Sequence, residues 1–379
     1  MAQHVTLIAT AAMGLESVVA NEVKDLGYEV QVENGKVIFD APVSAIPRCN
    51  LWLRTGDRVK LLVGEFEAKS FDELFEGTKA LPWESFITEY GQFPVIGKSI
   101  KSKLYSVPDC QAIVKKAVAE RLKLKYGLAT NMPETGALYR IEVALLKDKV
   151  TLTMDTSGSG LHKRGYRVGQ GEAPLKETMA AALLKLTNWK PEYPLIDPFC
   201  GSGSLPIEAA LIGQNIAPGF NRDFASQDWG FVKDKYWDAA YEEVEEKANY
   251  DQKLQIIGSD IDHNMISISK ENAREAGLGD LIEWKQMQVR DLNIRKENGY
   301  IVSNPPYGER IGDKEEIAKM HKDLGAILKE HPSWSVYIIT AFEEFEKNYG
   351  QKATKKRKLF NGFIRTDYYQ YFGKKVGGK

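Results

Sequence analysis

Two segments of the chain place chemically versatile side chains directly after apolar runs. Asp197 follows residues 193–196 and precedes a turn with two glycines, and Asn304 follows residues 299–303 and precedes Pro-Pro-Tyr. Each apolar run has the length of a short buried strand. Because the carboxyl ends of parallel strands meet at one edge of a sheet, we expect a carboxylate, an amide and an aromatic ring to line one binding site.

The turn after Asp197 reads Asp-Pro-Phe-Cys-Gly-Ser-Gly-Ser and leads into a predicted helix over residues 205–212, with Ser204 as its N-cap. The glycines allow a ligand to approach the backbone closely. A dinucleotide-binding turn needs a third glycine where this chain has Pro206. Asp197 would also repel a phosphate, so the turn favours a cationic ligand such as an ammonium group. An ordinary strand-to-helix turn without a ligand is the alternative.

The segment after residue 303 predicts a rigid, extended loop, because two prolines follow Asn304. Two further acids end strand-like segments. Asp260 is suited to ribose hydroxyls, and Asp291 follows the segment over residues 282–287. One acid at a strand end is common, whereas four such loops in this order are not.

A long insertion separates the first two of these acids. Asp197 and Asp260 are 63 positions apart, against about 20 residues in a simple dinucleotide unit. Residues 213–252 are therefore predicted to be inserted as a loop and an acidic helix. Asn221, Arg222 and Trp229 either border a base pocket or pack on the surface.

Together the four loops resemble the class I S-adenosylmethionine-dependent methyltransferases of the Asn-Pro-Pro-Tyr type. The resemblance implies that Asp197 meets the methionine ammonium, Asp260 the ribose and Asp291 the adenine amine. The implied cofactor-binding residues are Asp197, Phe199, Cys200, Gly201, Ser202, Gly203, Ser204, Asp260, Ile261, Asp291, Leu292, Leu175, Glu177 and Thr178. The implied catalytic residues are Asn304, Pro305, Pro306 and Tyr307. Nothing in this resemblance requires a metal.

The front of the chain predicts two small α+β units. Residues 1–67 have the order βαββαβ of a ferredoxin-like unit, which hosts many functions. Asn34-Gly35 predicts a β-hairpin with a type I′ turn, and Asn361-Gly362, between two strand-like runs, predicts another hairpin. Ser70 to Glu73 form a capping box that opens a helix.

Basic residues are concentrated between residues 98 and 125. This segment has eight lysines and arginines against Asp109 and Glu120, in a chain of net charge −1. Such a run is either a solvated helix face or a surface that contacts phosphates. The same two interpretations hold for the basic residues of the joining segment and of the last hairpin. The candidate RNA contacts are Lys98, Lys101, Lys103, Lys115, Lys116, Lys163, Arg164, Arg167, Arg357 and Lys358.

The whole chain resembles the THUMP-containing RNA guanine-N2 methyltransferases, and is similar to the first half of a fused bacterial enzyme acting on large-subunit (23S) ribosomal RNA. The resemblance predicts an α/β fold: a Rossmann-like class I sheet with an antiparallel terminal hairpin, preceded by a ferredoxin-like unit and a THUMP-like RNA-binding unit. The predicted domains are residues 1–67, 68–155, a linker 156–172, and 173–379. The implied partners are S-adenosylmethionine and RNA, with ribosomal RNA favoured and transfer RNA possible.

Composition narrows the class of protein. Three widely spaced cysteines give no metal-ligand pattern and indicate reduced thiols, and the first residues lack a charged-then-apolar leader. No apolar run reaches the length of a membrane span. We therefore expect a cytoplasmic protein that needs neither membrane nor metal.

Three rival functions remain open. The Asn-Pro-Pro-Tyr loop also serves adenine N6 in DNA, although no DNA target-recognition insert is apparent. It serves glutamine amides in proteins as well, but that function leaves the basic front region without a role. A non-enzymatic RNA-binding factor is the third, and the intact loop and acids argue against it.

Overall fold

The computed structural model describes residues 4–169, 171, 174–307 and 313–374. The chain divides into two compact units. The first unit comprises Met1–Ala11, Val19–Leu161 and Asp223–Glu243, and the second comprises Ala12–Val18, His162–Arg222 and Val244–Lys379. Within the described ranges, no helix combines the length and the apolar character needed to cross a membrane.

The front of the chain alternates strands and helices as its hydrophobic periodicity predicts. In chain order its elements are β1 (His4–Thr10), α1 (Glu16–Asp25), β2 (Gln31–Glu33), β3 (Lys36–Pro42), α2 (Ala45–Trp52), β4 (Arg58–Glu67), α3 (Phe71–Lys79), β5 (Val95–Ile100), α4 (Val107–Tyr126), β6 (Ile141–Leu146) and β7 (Lys149–Asp155). The capping box of α3 is confirmed, since Ser70 Oγ accepts from the Glu73 amide and the Glu73 carboxylate accepts from the Ser70 amide.

One mixed sheet runs through this whole region, with the strand order β2-β3-β1-β4-β7-β6-β5. Strand β4 pairs with β1 on one side and with β7 on the other, both antiparallel. The sheet is therefore continuous across the limit predicted between residues 67 and 68. The three predicted domain limits stay a prediction.

The turn chemistry differs from the sequence prediction. Asn34-Gly35 does join β2 to β3, but only Gly35 has a positive φ, whereas a type I′ turn needs two. Lys147 and Asp148, between β6 and β7, are the pair that both adopt positive φ. Asp is among the residues that favour a type I′ turn, but Lys is not, so strand pairing imposes this conformation on Lys147.

Part of the predicted insertion belongs to the first unit. Trp229 is 1% exposed, its ring stacks on Tyr139 at 5.1 Å, and its Nε1 donates to the Leu138 carbonyl at 2.9 Å. Trp229 therefore neither packs on the surface nor borders the predicted base pocket. The acidic helix predicted within the insertion is α7, which spans Asp234–Lys247.

The second unit contains the remaining elements. They are α5 (Glu177–Lys185), β8 (Leu195–Asp197), α6 (Ser204–Gly213), β9 (Ile256–Asp260), α8 (His263–Glu275), β10 (Ile282–Gln286), β11 (Tyr300–Ser303), α9 (Asp313–Lys329), β12 (Ser335–Thr340), α10 (Phe345–Tyr349), β13 (Lys355–Asn361) and β14 (Ile364–Tyr371).

Its sheet has the order β10-β9-β8-β11-β12-β14-β13. The first five strands are parallel, and β14 runs antiparallel to both β12 and β13. The predicted α/β sheet with an antiparallel terminal hairpin is confirmed. Strand order reverses between β8 and β11, so the loops that follow these strands border the crevice where such sheets bind ligands.

A buried ion pair joins the start of the second unit to α6. Arg164 is 3% exposed, and its Nε and Nη2 donate to the Glu208 carboxylate at 3.2 and 3.3 Å. Tyr166 also donates to Glu208, at 3.2 Å. The prediction that Arg164 contacts RNA is wrong, because its guanidinium is enclosed and neutralises a buried carboxylate. The neighbouring Lys163 is exposed.

Replacing Arg164 should therefore reduce stability more than replacing its neighbour. Arg164→Met leaves Glu208 buried without its counter-charge, and we expect the free energy of unfolding to fall by about 3–5 kcal/mol. Lys163→Met is the matched control and should change it by less than about 0.5 kcal/mol. Urea unfolding followed by fluorescence measures both, and equal midpoints for the two variants would contradict a structural role for Arg164.

Candidate functional site

A cavity of about 800 Å³ lies at the carboxyl ends of β8, β9 and β11. It brings together most of the predicted site residues: Asn304, Pro305, Pro306, Tyr307, Asp197, Phe199, Cys200, Gly201, Ser202, Ser204, Asp260, Ile261 and Leu175. Its size falls within the usual range for small-molecule sites. The predicted residues that do not line it are Gly203, Glu177, Thr178, Asp291 and Leu292.

Asp197 ends β8 as a buried carboxylate, 1% exposed. Its Oδ1 accepts hydrogen bonds from the Ser303 hydroxyl and from the Phe199 amide. Burial raises the pKa of Asp197 to about 7, although these two donors oppose the shift, and the nearby Asp260 carboxylate raises it further. A cation that enters the cavity would lower that pKa and be held by the charge.

Asp260, at the end of β9, holds the glycine turn. Its Oδ2 accepts from the Gly201 amide at 2.9 Å, and its Oδ1 accepts from the Asp262 amide at 3.0 Å. A carboxylate has about four acceptor positions, so Asp260 retains capacity for ligand hydroxyls. Gly203 has φ +88°, and a Cβ there would lie 2.8 Å from the Ser269 Cβ, so a side chain has no room.

Arg167 braces this turn from the other side. Its Nη1 and Nη2 donate to Ser202 Oγ at 3.0 Å and Ser204 Oγ at 2.7 Å, and its Nε pairs with Glu177 at 2.7 Å. The predicted RNA contact at Arg167 is wrong, because the guanidinium is occupied by these internal partners. Gly203 rather than Ser204 is the N-cap of α6, since the Ser204 hydroxyl is bound by Arg167 and caps nothing.

Asn272 on α8 is a second brace that the sequence did not indicate. It is 1% exposed, its Nδ2 donates to the Ser202 and Gly169 carbonyls at 2.9 and 3.0 Å, and its Oδ1 accepts from the Val168 amide at 2.9 Å. An Asn in a polar, periodic helix has no sequence feature that would identify it as buried.

The loop after β11 is internally bonded. The Tyr307 hydroxyl donates to Asn304 Oδ1 at 2.7 Å, and Asn361 Nδ2, at the end of β13, donates to the Tyr307 oxygen at 3.3 Å. Asn361 also lines the cavity. Because Asn304 Oδ1 accepts one bond from Tyr307, it keeps a lone pair for a ligand N–H group.

Other parts of the predicted set lie elsewhere. Glu177 is buried against Arg167, Thr178 is 4% exposed, and Leu292 packs on the hydrophobic core. The Asp291 side chain is 62% exposed, and residues 287–290 line the cavity in its place. Helix α9 adds cavity-lining residues that the sequence did not indicate, namely Glu316, Lys319, Met320 and Asp323.

The remaining basic residues differ in exposure. In the first unit, Lys98 and Lys115 pair with Glu142 and Glu134 at 3.0 and 2.5 Å. Three further lysines are exposed and form no ion pair with a carboxylate in the part of the chain that the structure describes. They are Lys101, Lys103 and Lys116. In the second unit, Lys163 and Lys358 are exposed. Arg357 is half-buried and donates to the Gly14 carbonyl at 2.6 Å.

Three family matches divide the chain. Residues 164–370 match the UPF0020 family (RMKL-like, methyltransferase domain), residues 6–60 the RlmL ferredoxin-like domain, and residues 68–155 the THUMP domain. YpsC of Bacillus subtilis, named a putative RNA methyltransferase, is 64% identical over 97% of this chain and 96% of its own. The ribosomal RNA large subunit methyltransferase K/L of Syntrophotalea carbinolica is 34% identical over 95% of this chain. This chain spans about half the length of that relative (52%).

Solved structures share the same architecture. A Listeria monocytogenes protein named as a predicted N6-adenine-specific DNA methylase is 59% identical with a TM-score of 0.95, over 98% of this chain and 97% of its own. SMU.472, named a putative methyltransferase and solved in complex with SAH, is 46% identical with a TM-score of 0.95 over 100% of both chains. This chain therefore belongs to the UPF0020 methyltransferase family and is an S-adenosylmethionine-dependent methyltransferase with a THUMP domain and an RlmL-type ferredoxin-like domain in front.

Proposed function

We propose that this protein methylates the exocyclic N2 amine of a guanine in RNA, with 23S ribosomal RNA as the favoured substrate. The observation that carries the proposal is the single cavity in which Asn304 and Tyr307 lie beside the buried Asp197. The THUMP domain and the large-subunit ribosomal RNA methyltransferase relatives favour RNA. The guanine assignment rests on the resemblance of the whole chain to guanine-N2 methyltransferases.

The donor set of the cavity fits S-adenosylmethionine. Asp197 offers the methionine ammonium a buried carboxylate, and Asp260 keeps acceptor capacity for the ribose hydroxyls. Gly201 has a positive φ and no protein atom within 4 Å of the place where a Cβ would lie, so it leaves space for a ligand at this turn. When bound, the cofactor supplies a methyl group on a sulfonium that is also the leaving group. The protein therefore needs mainly to position the amine.

The loop after β11 can orient that amine. Asn304 Oδ1 and the Pro305 carbonyl each accept a hydrogen bond from one N–H of this amine. The two bonds turn the nitrogen lone pair away from conjugation with the base. Tyr307 holds the Asn304 side chain through its hydroxyl and presents its ring to the base. The amine loses one proton to water after the nitrogen–carbon bond forms, so no strong base is needed. A paired guanine must first leave its stack, at a cost of a few kcal/mol.

Two other nucleic-acid substrates are tested by the same experiment. Transfer RNA is the closer alternative, and adenine N6 in DNA is favoured by the name of the Listeria structure. Labelled methyl transfer to ribosomal RNA, transfer RNA and DNA in parallel, followed by nucleoside analysis, separates them. We expect N2-methylguanosine from ribosomal RNA. N6-methyladenosine would overturn the base assignment.

Cofactor affinity should depend on pH through Asp197. With its pKa raised to about 7, the carboxyl is largely protonated at pH 6 and ionised at pH 8, so S-adenosylhomocysteine should bind about tenfold more weakly at pH 6. Calorimetry at both pH values measures this, and binding should release a proton near pH 7. A flat profile would remove Asp197 from contact with the ammonium.

Asp197→Asn is the matched variant, because it keeps the acceptor for Ser303 and removes the charge. Its affinity should be low and independent of pH. The raised folded-state pKa means that ionisation of Asp197 destabilises the free protein as pH rises from about 4 to 7, by up to about 4 kcal/mol. The variant should therefore melt higher than the parent at pH 8 and equally at pH 4.

Substitutions in the loop should separate chemistry from cofactor binding. Asn304→Ala should lower kcat by about 10²–10³ while S-adenosylhomocysteine affinity holds. Tyr307→Phe keeps the ring but frees the Asn304 side chain, and we expect about a tenfold loss in kcat, comparable to other single lost hydrogen bonds. Tyr307→Ala should lose more. Parent-like turnover in Asn304→Ala would show that the loop is only structural.

The exposed lysines before α4 should bind RNA phosphates. Lys101→Ala with Lys103→Ala should weaken binding to ribosomal RNA and reduce the slope of log affinity against log salt by about one per lost contact. Lys69→Ala, another exposed lysine of the first unit, is the control. An unchanged salt slope in the double variant would place the RNA contacts elsewhere.

A further inference from the structure

The turn of the terminal hairpin exposes an aromatic ring completely. Asn361 pairs with Ile364, so Gly362 and Phe363 form the two-residue turn between β13 and β14. Gly362 has φ +62° and Phe363 does not have a positive φ, which is the pattern of a type II′ turn with glycine first. The hairpin predicted from Asn361-Gly362 is therefore confirmed, with its two turn residues one position later, at Gly362 and Phe363. Phe363 has a relative exposure of 105%.

The two faces of the hairpin differ near this turn. On one face, Leu359 and Thr366 are buried, and the last pair, Asn361 and Ile364, lines the cavity. On the other face, Phe360 pairs with Arg365, and Lys358 Nζ lies 5.7 Å from the centre of the Phe360 ring. The turn thus joins a cationic, aromatic face to the mouth of the cavity.

The turn is also fixed to the catalytic loop. Asn361 donates to the Tyr307 oxygen, and Tyr307 donates to Asn304. The seven cross-strand pairs of the hairpin and this side-chain bond hold the turn, so Phe363 is presented from a defined position next to the loop that is proposed to receive the target base.

We propose that Phe363 is a positioning residue that stacks on an RNA base beside the target nucleotide and so holds the target out of its stack. The proposal rests on the proposed function. A single exposed apolar ring is not unusual by itself. The Phe363 ring, however, is fully in water at a turn bonded to the loop after β11, where stacking on a base would remove its apolar surface from water. Aromatic rings flanked by exposed cations are the common platform for unpaired bases. Lys358 and Arg365, both exposed, supply those cations.

Ribosomal RNA methylation by the full chain tests this. Phe363→Ala should raise KM for RNA and lower kcat/KM about tenfold, since one stacking contact is lost. Phe363→Trp should retain or exceed parent kcat/KM, because it keeps a stacking surface. Tyr250→Ala is the control, as Tyr250 is an aromatic residue of the same unit that is 56% exposed but lies outside the terminal hairpin. Affinity for S-adenosylhomocysteine should be the same in all three variants.

The outcomes separate this inference from the proposed function. No transfer to any RNA by the parent enzyme would overturn the proposed function and the inference with it. Parent transfer with unchanged kcat/KM in Phe363→Ala would overturn the inference alone. Equal losses in Phe363→Ala and Phe363→Trp, with cofactor affinity intact, would also overturn it, because stacking would not be the cause.

Discussion

The hydrogen bond from Ser303 to Asp197 joins the ends of two neighbouring strands, and the candidate site is built outward from it. Ser303 ends β11 directly before Asn304, and Asp197 ends β8 directly before the glycine turn. This bond therefore links the acidic end of the cavity to the loop over residues 304–307. It also partly compensates a carboxylate whose burial raises its pKa to about 7. A buried carboxylate of this kind lowers the stability of the free protein, and groups with such shifted pKa values are concentrated at functional sites.

The sequence identified the cavity-lining residues better than the residues that hold them in place. Asp197, Asp260 and Asn304 could be found because turns of glycine and proline follow strands at fixed positions. Asn272 and the role of Arg167 could not be found, because their partners lie far away in the chain and nothing in local composition distinguishes a brace from a solvated side chain.

The same limit explains the errors on charge. Arg164 and Lys163 are adjacent and alike in composition, yet one is buried against Glu208 and the other is exposed. A basic run predicts the presence of charge but not the direction in which each side chain points. The turns were predicted poorly for a related reason, since strand pairing decides their conformation and position. The pairing of β6 with β7 imposes a positive φ on Lys147, and the register of β13 with β14 places the turn at Gly362-Phe363, one position after the predicted pair.

Residues 223–243 give the chain an interleaved layout. They lie between two segments of the second unit in sequence, but they fold with the first, where Trp229 stacks on Tyr139. The front region is therefore not a removable module ending at residue 161. A chimaera that exchanges the front region between relatives must therefore also exchange residues 223–243. Otherwise Trp229 would pack against a residue of the other protein in place of its own Tyr139. Recombination at a single crossover point would separate parts of the first unit and is therefore disfavoured. We expect the two units to be inherited together.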